Sequence, residues 1–351
     1  MKRFLSLFTT VLLSLAVWAQ HTIVVKAGDA QSLLDAIEEA NKVNADKNAE
    51  RLFILIPNGL YDLGKRVLTR VTGHRVSFIG QSMEGTIIQN APDVKNEGIS
   101  KTGVLQNRGT GNYYQDLTLR NALDYYAVRD DGRAVTLHDK GNHTICNRVR
   151  MLFYQDTYYS DKEECQHYMQ DSEIHGTIDF ICGAGDVWFE RCRIVAENRH
   201  PDGSGYDVIM APRTSDTTWG YVFNHCTIAS YESKYYYGRG WHTSPRCVWL
   251  HTTLLAPEKL LPERFDPHGM KISSNYFKEY HTMDAKGRDI TPQSNVVHFT
   301  LRDLTQPFDA ETILSKEDAR QYTLCNVFGD WKPAKELKKI EKQAKKLMKR
   351  L

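Results

Sequence analysis

Apolar and polar positions change rhythm along the chain, and each change marks an element. Residues 4–18 are uncharged and rich in Leu, Val and Phe; they follow Lys2 and Arg3 and end at Val17-Trp18-Ala19. A short apolar core behind a basic start and before a plausible cleavage site is the layout of a signal peptide, here residues 1–19; a spanning helix would need about 20 apolar residues. Asp29 then precedes Leu33, Leu34, Ile37 and Ala40, which fall on one helical face, so a helix capped by Asp29 is expected.

Residues 52–256 have no long helical period. Short alternating runs recur between Gly, Asn and Asp, and one motif repeats: Leu117-x-Leu119, Val149-x-Met151, Ser172-x-Ile174, Cys192-x-Ile194, Cys226-x-Ile228 and Thr252-x-Leu254, at steps of 32, 23, 20, 34 and 26 residues. Irregular steps of twenty-odd residues suit a β-solenoid that keeps its strands and varies its loops. An antiparallel sandwich would turn every 8–12 residues. Residues 312–322 read as helical. The tail, residues 332–351, has nine Lys or Arg against two Glu, with Leu337, Ile340, Ala344, Leu347, Met348 and Leu351 at helical spacing. It is expected as an amphipathic helix docked on the end of the solenoid, with attraction to an anionic surface or polymer as the sharper alternative. The division is thus a signal peptide (1–19), a solenoid domain (20–331) and a basic tail (332–351).

Composition narrows the function. The 351 residues carry Lys+Arg 45 against Asp+Glu 43, a balance unlike that of a dedicated nucleic-acid binder. Seven Cys, an odd number thinly spread, do not make a disulfide scaffold, although one or two bridges stay open. No C-x-x-C or H-E-x-x-H pattern points to zinc. Gly59–Lys65 approaches a phosphate-binding loop, but Arg66 stands where a Ser or Thr would hold Mg²⁺, so the match reads as chance.

Candidate chemistry lies at residues 154–183. Asp156 and Asp179 are 23 residues apart, about one coil, each in a strand-like context. Coils in register would bring them onto adjacent strands, roughly 5 Å apart. Two carboxyls so close divide into one protonated and one ionised group, an acid beside a nucleophile or base.

The same stretch resembles the signature of the pectin methylesterases (pectinesterases). Tyr154-Gln155-Asp156-Thr157 is similar to their Y-Q-D-T element. Gly176-Thr177-Ile178-Asp179-Phe180-Ile181, followed by Gly183, is similar to G-T-[VI]-D-F-I, and Tyr237-Gly238-Arg239-Gly240-Trp241 to L-G-R-P-W. The likeness runs from the helix after the signal to Phe328-Gly329-Asp330-Trp331. It implies an all-β, right-handed parallel β-helix that demethylates galacturonate units in pectin with no metal or cofactor. By resemblance, Asp179 is the nucleophile and Asp156 the general acid and base; Gln155 donates to the oxyanion, Arg239 holds Asp179, and Trp241 faces a sugar ring. Arg133 stands where the family has Gln and would reach an oxyanion or a substrate carboxylate. Gly240 replaces Pro, loosening the segment before Trp241; Cys182 replaces Phe, and Tyr158 replaces Leu. Tyr158, Tyr159 and Tyr235–Tyr237 are candidate subsite walls, with Tyr158 and Tyr237 taken as substrate contacts. The resemblance implies pectin as the partner; the signal peptide reads as a secreted or periplasmic location without stable membrane insertion, the near-neutral charge as no nucleic acid, and the solenoid as a monomer. Two other readings stay open: a β-helix pectate lyase or polygalacturonase, and a non-catalytic solenoid that binds wall polysaccharide.

Overall fold

In the computed structural model, which describes residues 21–92, 98–128, 132–216, 218–301 and 306–349, the chain winds as a right-handed parallel β-helix. Each full coil supplies a strand to three parallel sheets. A flank sheet runs from Leu52–Ile56 through Val76–Gly80, Gln166–Gln170, Asp186–Glu190, Tyr221–Asn224 and Arg246–Leu250 to Tyr276–Tyr280. A back sheet runs from Gly59–Asp62 through Thr86–Asn90, Glu173–Gly176 and Arg193–Ala196 to Met283–Asp284. The nine-residue strands Tyr113–Asn121 and Thr144–Leu152 bend round the corner and serve both. The third sheet, which carries the candidate site, stacks Thr69–Val71, Leu105–Asn107, Leu137–Asp139, Tyr158–Ser160, Ile178–Gly183, Tyr206–Pro212 and Lys234–Gly238.

The repeated motif sets the register of the back sheet: Leu119 pairs with Met151, Met151 with Ile174, Ile174 with Ile194, Ile194 with Ile228, and Ile228 with Leu254. Like side chains therefore stack inside the solenoid at the spacing of strands. Phe189 and Phe223 lie 4.4 Å apart by ring centroid, and Phe223 and Trp249 3.8 Å. At the bend between flank and back sheets, Asp116, Arg148, Asp171, Arg191, His225, His251 and His281 all adopt φ of 48–55°. Each costs about 1–2 kcal/mol for a residue with a Cβ. Neighbouring coils offset this by pairing Asp116 with Arg148 (2.6 Å) and Asp171 with Arg191 (2.9 Å), and by stacking His225 on His251 (4.8 Å).

The helix Ala30–Val43 closes the N-terminal end, with Leu33, Ala36, Ile37 and Ala40 buried and Asp29 accepting from the Ser32 amide at 3.0 Å, as expected. Gly59 lies in a strand, where an added Cβ would sit 2.5 Å from the Gly28 nitrogen. The glycine thus serves close backbone approach rather than a phosphate. Six cysteines are buried and Cys325 is exposed, and all seven are unpaired.

Two expectations need correction. Within 312–322 only Lys316–Ala319 is helical; Phe308–Glu311 pairs antiparallel with Val296–Leu301, and Ile313 bridges to Glu279. Sheet pairing and burial of Leu314 override the helical period there. The tail helix Pro333–Met348 is amphipathic as expected but lies along the flank of the solenoid, not on its end. Leu337, Ile340 and Ala344 join a cluster with Phe53, Leu55, Ile79, Tyr113 and Ile145, which point outward from the flank sheet. Glu336 and Glu341 turn toward the body, pairing with Arg51 and Arg148 at 2.8 and 2.7 Å. Residues 1–19 and Leu351 lie outside the described residues. No helix among the described residues is long and apolar enough to cross a membrane.

Candidate active site

The third sheet brings Asp156 and Asp179 together. Tyr158 pairs with Ile181 and Tyr159 with Cys182, an offset that also sets Asp156 beside Asp179; the Asp156 amide donates to the Ile178 carbonyl at 3.3 Å. Both aspartates have left-handed backbones, φ 59° and 52°. Thr157 fixes the first turn by donating its hydroxyl to the carbonyls of Tyr154 (3.1 Å) and His175 (2.8 Å). Gly176 is required in the second coil, since an added Cβ would lie 2.1 Å from Phe180 Cβ and 2.4 Å from the Tyr154 carbonyl oxygen.

The two carboxyls have different surroundings. Arg239 grips Asp179 with both prongs, Nε to Oδ1 at 2.9 Å and Nη2 to Oδ2 at 2.6 Å, and the carboxylate raises the guanidinium pKa in turn. Arg239 is set by its own amide, which donates to the Met210 carbonyl one coil earlier. Asp156 has no such clamp. Burial pushes its carboxyl well above the usual carboxylate range, Asp179 pushes it the same way, and Arg133 and Arg239 pull against both. The Arg133 Nε lies 3.9 Å from Asp156 Oδ2, and Arg133 bridges to Gln155 across the coils. Cys182 Sγ is 3.9 Å from Asp156 Oδ1; burial first, then the two carboxylates, push its thiol up, so it stays protonated.

Gln155 precedes Asp156 at the same rim and is 8% exposed. Trp241 is half-buried, tilted against Tyr159 at 6.1 Å, with the Arg213 guanidinium 5.7 Å from its ring centre. Gly240 is not a loose point: an added Cβ there would come within 2.8 Å of the Ile272 side chain. The structure thus groups Asp156, Asp179, Arg133 and Arg239, with Trp241 packed beside them against Tyr159 and Cys182, and Gln155 next to Asp156 in the chain.

Tyr158 and Tyr237 do not belong to that group. Both are fully buried in the solenoid core. The Tyr158 hydroxyl bonds to His167 Nδ1 at 2.8 Å, and Tyr237 stacks on Trp249 at 4.9 Å. Their neighbours face outward instead: Tyr159 joins Val135, Cys182 and Ala211 in a small apolar patch beside Trp241, and Tyr236 packs edge-on against Tyr206 at 5.3 Å. Sequence reasoning missed a second aromatic group, Tyr125, Tyr126 and Tyr154, in which Tyr154 lies 4.8 Å from Tyr125. It also missed Asp161, which collects His138, Lys140 and Arg213. Their charge types were visible, but only coil register brings them together.

Comparison with known proteins agrees with this geometry. The family model described as Pectinesterase matches residues 22–299. Pectinesterase 3 of Solanum lycopersicum is 29% identical over 237 residues, 65% of this chain and 41% of that protein. Probable pectinesterase A of Aspergillus flavus is 28% identical over 236 residues, 65% of this chain and 68% of that protein. The chain spans 41–52% of the length of the first plant relatives it matches. Among solved structures, pectin methylesterase from Erwinia chrysanthemi superposes with a TM-score of 0.66 at 21% identity, covering 89% of this chain and 97% of that one. A pectin methylesterase in complex with hexasaccharide VII gives 0.65 at 22% identity, covering 88% and 97%. These structural likenesses establish the β-helix. The family match spans most of the chain, and the chain belongs to the pectinesterase family.

Proposed function

We propose that the protein hydrolyses methyl esters of galacturonate units in pectin and releases methanol. The observation that carries this is the unequal pair: Asp179 clamped by Arg239, Asp156 one coil away with its carboxyl pushed up by burial and by Asp179. Asp179, gripped and aimed by Arg239, attacks the ester carbonyl carbon. Gln155 donates to the oxyanion that develops, a contact that strengthens in the transition state. As the tetrahedral species collapses, the carbon–oxygen bond to methoxide breaks and Asp156 gives its proton to the leaving oxygen, forming methanol. The resulting anhydride with Asp179 is hydrolysed by a water that Asp156, now a carboxylate, deprotonates. This restores both groups and frees the galacturonate.

Trp241 offers a ring face to the sugars, backed by the buried Tyr159, which stacks on His138, and Arg133 reaches toward the reacting centre from the preceding coil. The leader at residues 1–19 supports export to the periplasm or beyond, where such a polymer is met. Incubating the protein with highly methylated pectin tests the reaction class. Methanol should appear with no rise in unsaturated-product absorbance and no fall in chain length. Unsaturated ends would instead mean a lyase, and binding with no methanol would mean a non-catalytic solenoid.

A further inference from the structure

Charge is segregated between the tail helix Pro333–Met348 and the body it covers. Residues 332–351 carry nine Lys or Arg against two Glu, whereas the rest of the chain carries 36 Lys or Arg against 41 Asp or Glu. Docking on the flank sheet sharpens the contrast. Glu336 accepts from Arg51 at 2.8 Å and from the Trp331 indole at 3.0 Å, and Glu341 accepts from Arg148 at 2.7 Å, so both acids of the helix face the body. Every lysine of residues 332–349 is left exposed. Between the helix and the first coils runs a groove of about 1070 Å³. Its cations are Arg51, Arg75, Lys332, Lys335, Lys339 and Lys346, against Glu50, Glu336 and Asp330. Glu50 is held by His21 at 3.1 Å, as Glu336 is by Arg51. Burial lowers the Arg51 guanidinium to about 10, Glu336 pulls it back, and Arg75 lowers it further. Phe53, Trp331, Ile340 and Leu347 give the groove an apolar floor.

We propose that this groove on the flank binds a polyuronate stretch and tethers the protein to its polymer away from the reacting centre. The inference rests on the pectin-esterase reading for the identity of the polymer, and on the groove itself for its charge. Lys335 and Lys339 stand about 6 Å apart along the helix axis, with Lys346 about 10 Å farther on. The cations therefore form a line, which suits a chain of repeated carboxylates better than a single anion. Lysine ammoniums on flexible stems adapt to carboxylates of varied spacing, and the apolar floor suits the CH faces of sugar rings. A lipid surface is the poorer fit. The apolar face of the helix, Leu337, Ile340 and Ala344, is already buried on the flank sheet and has nothing left to insert. Neither Asp156 nor Asp179 lines the groove, so one long polymer can occupy it while another part of the same chain reacts. Such a link raises the local concentration of esters without altering the chemistry.

The test compares wild type with two triple variants of equal charge. One is Lys335→Gln with Lys339→Gln and Lys346→Gln, on the groove side; the other is Lys338→Gln with Lys342→Gln and Lys345→Gln, on the opposite side of the helix. All six side chains are exposed, so both variants should melt as wild type does. Calorimetric titration of long polygalacturonate is run at several salt concentrations, beside methanol release from long, partly methylated pectin and from methylated trimers too short to occupy two sheets at once. The groove variant should bind polygalacturonate about tenfold more weakly and with a flatter salt dependence, the opposite variant at most about threefold more weakly. The groove variant should also raise KM on long pectin while kcat, and both constants on trimers, stay unchanged. Equal weakening by the two variants, unchanged binding by the groove variant, or an equal KM rise on trimers overturns the proposal. Loss of binding to phosphatidylglycerol vesicles with polygalacturonate binding intact would assign the groove to a membrane and likewise overturn it. Groove-dependent polygalacturonate binding in a protein that releases no methanol would sink the esterase reading and leave the groove standing. Methanol release with no dependence on the groove lysines would do the reverse.

Discussion

Arg133→Gln probes the division of labour between the carboxyls most closely, because Arg133 acts on Asp156 by charge across 3.9 Å. At that distance two unit charges interact by about 4 kcal/mol at an effective dielectric of about 20, and by about 1 kcal/mol in water. The Arg133 side chain is 33% exposed, so the interaction belongs near the lower figure, ~1.4 kcal/mol, equivalent to about one pH unit. Arg133 holds the Asp156 carboxyl down against burial and against Asp179. Removing its charge therefore favours the neutral acid, and Asp156 keeps its proton to higher pH. The first step needs that proton, so the alkaline limb of kcat/KM for methanol release should move upward by about one pH unit. The assay is initial-rate methanol release across pH at fixed ionic strength. If Arg133 only binds substrate, KM rises and the limb stays where it was. A stationary limb, or one displaced to lower pH, refutes the electrostatic argument.

Two other perturbations separate the face of the sheet from its core. Trp241→Ala, at a half-buried ring on the site face, should raise KM for pectin with a modest change in denaturation midpoint, whereas Tyr158→Ala, which empties a site inside the solenoid, should cost about 3–5 kcal/mol in urea unfolding. Equal stability losses would mean that the inward and outward assignments are wrong. Ile340→Ala in the tail helix should lower stability by about 2–5 kcal/mol, and Ile340→Asp should release the helix and expose the apolar flank to a dye such as ANS. Wild-type melting of the Asp variant would contradict the docking of the tail on the flank sheet.

Much of the architecture was legible because a β-solenoid writes its register into the sequence. The small-x-apolar motif named the pairs of the back sheet, and the 23-residue spacing of Asp156 and Asp179 is the spacing of Tyr158 and Ile181 in the third sheet. The helix Ala30–Val43 was given by its cap and apolar face. The tyrosines were harder. Strict alternation puts Tyr158 on the same side as Asp156, but the positive φ of Asp156 breaks the alternation, and Tyr159 emerges outward instead. In the run Tyr235–Tyr237 only the middle ring is outside, and composition alone says nothing about which.

The place of the tail was missed although a signal existed. Leu52–Ile56 and Val76–Gly80 are buried at every position, the mark of strands covered on both sides. An amphipathic period identifies a helix with something to cover, and the flank needed covering. The Asp161 group could not be read at all, because His138, Lys140, Tyr159 and Arg213 come from three different coils.

The most direct measurement is methanol release from methylated pectin by Asp179→Asn, compared with wild type at matched folding as judged by circular dichroism. Asn keeps the shape but supplies no nucleophilic carboxylate and no charge for Arg239. Turnover should fall by at least about two orders of magnitude. Turnover within a few-fold of wild type would contradict the assignment of Asp179 as the attacking group.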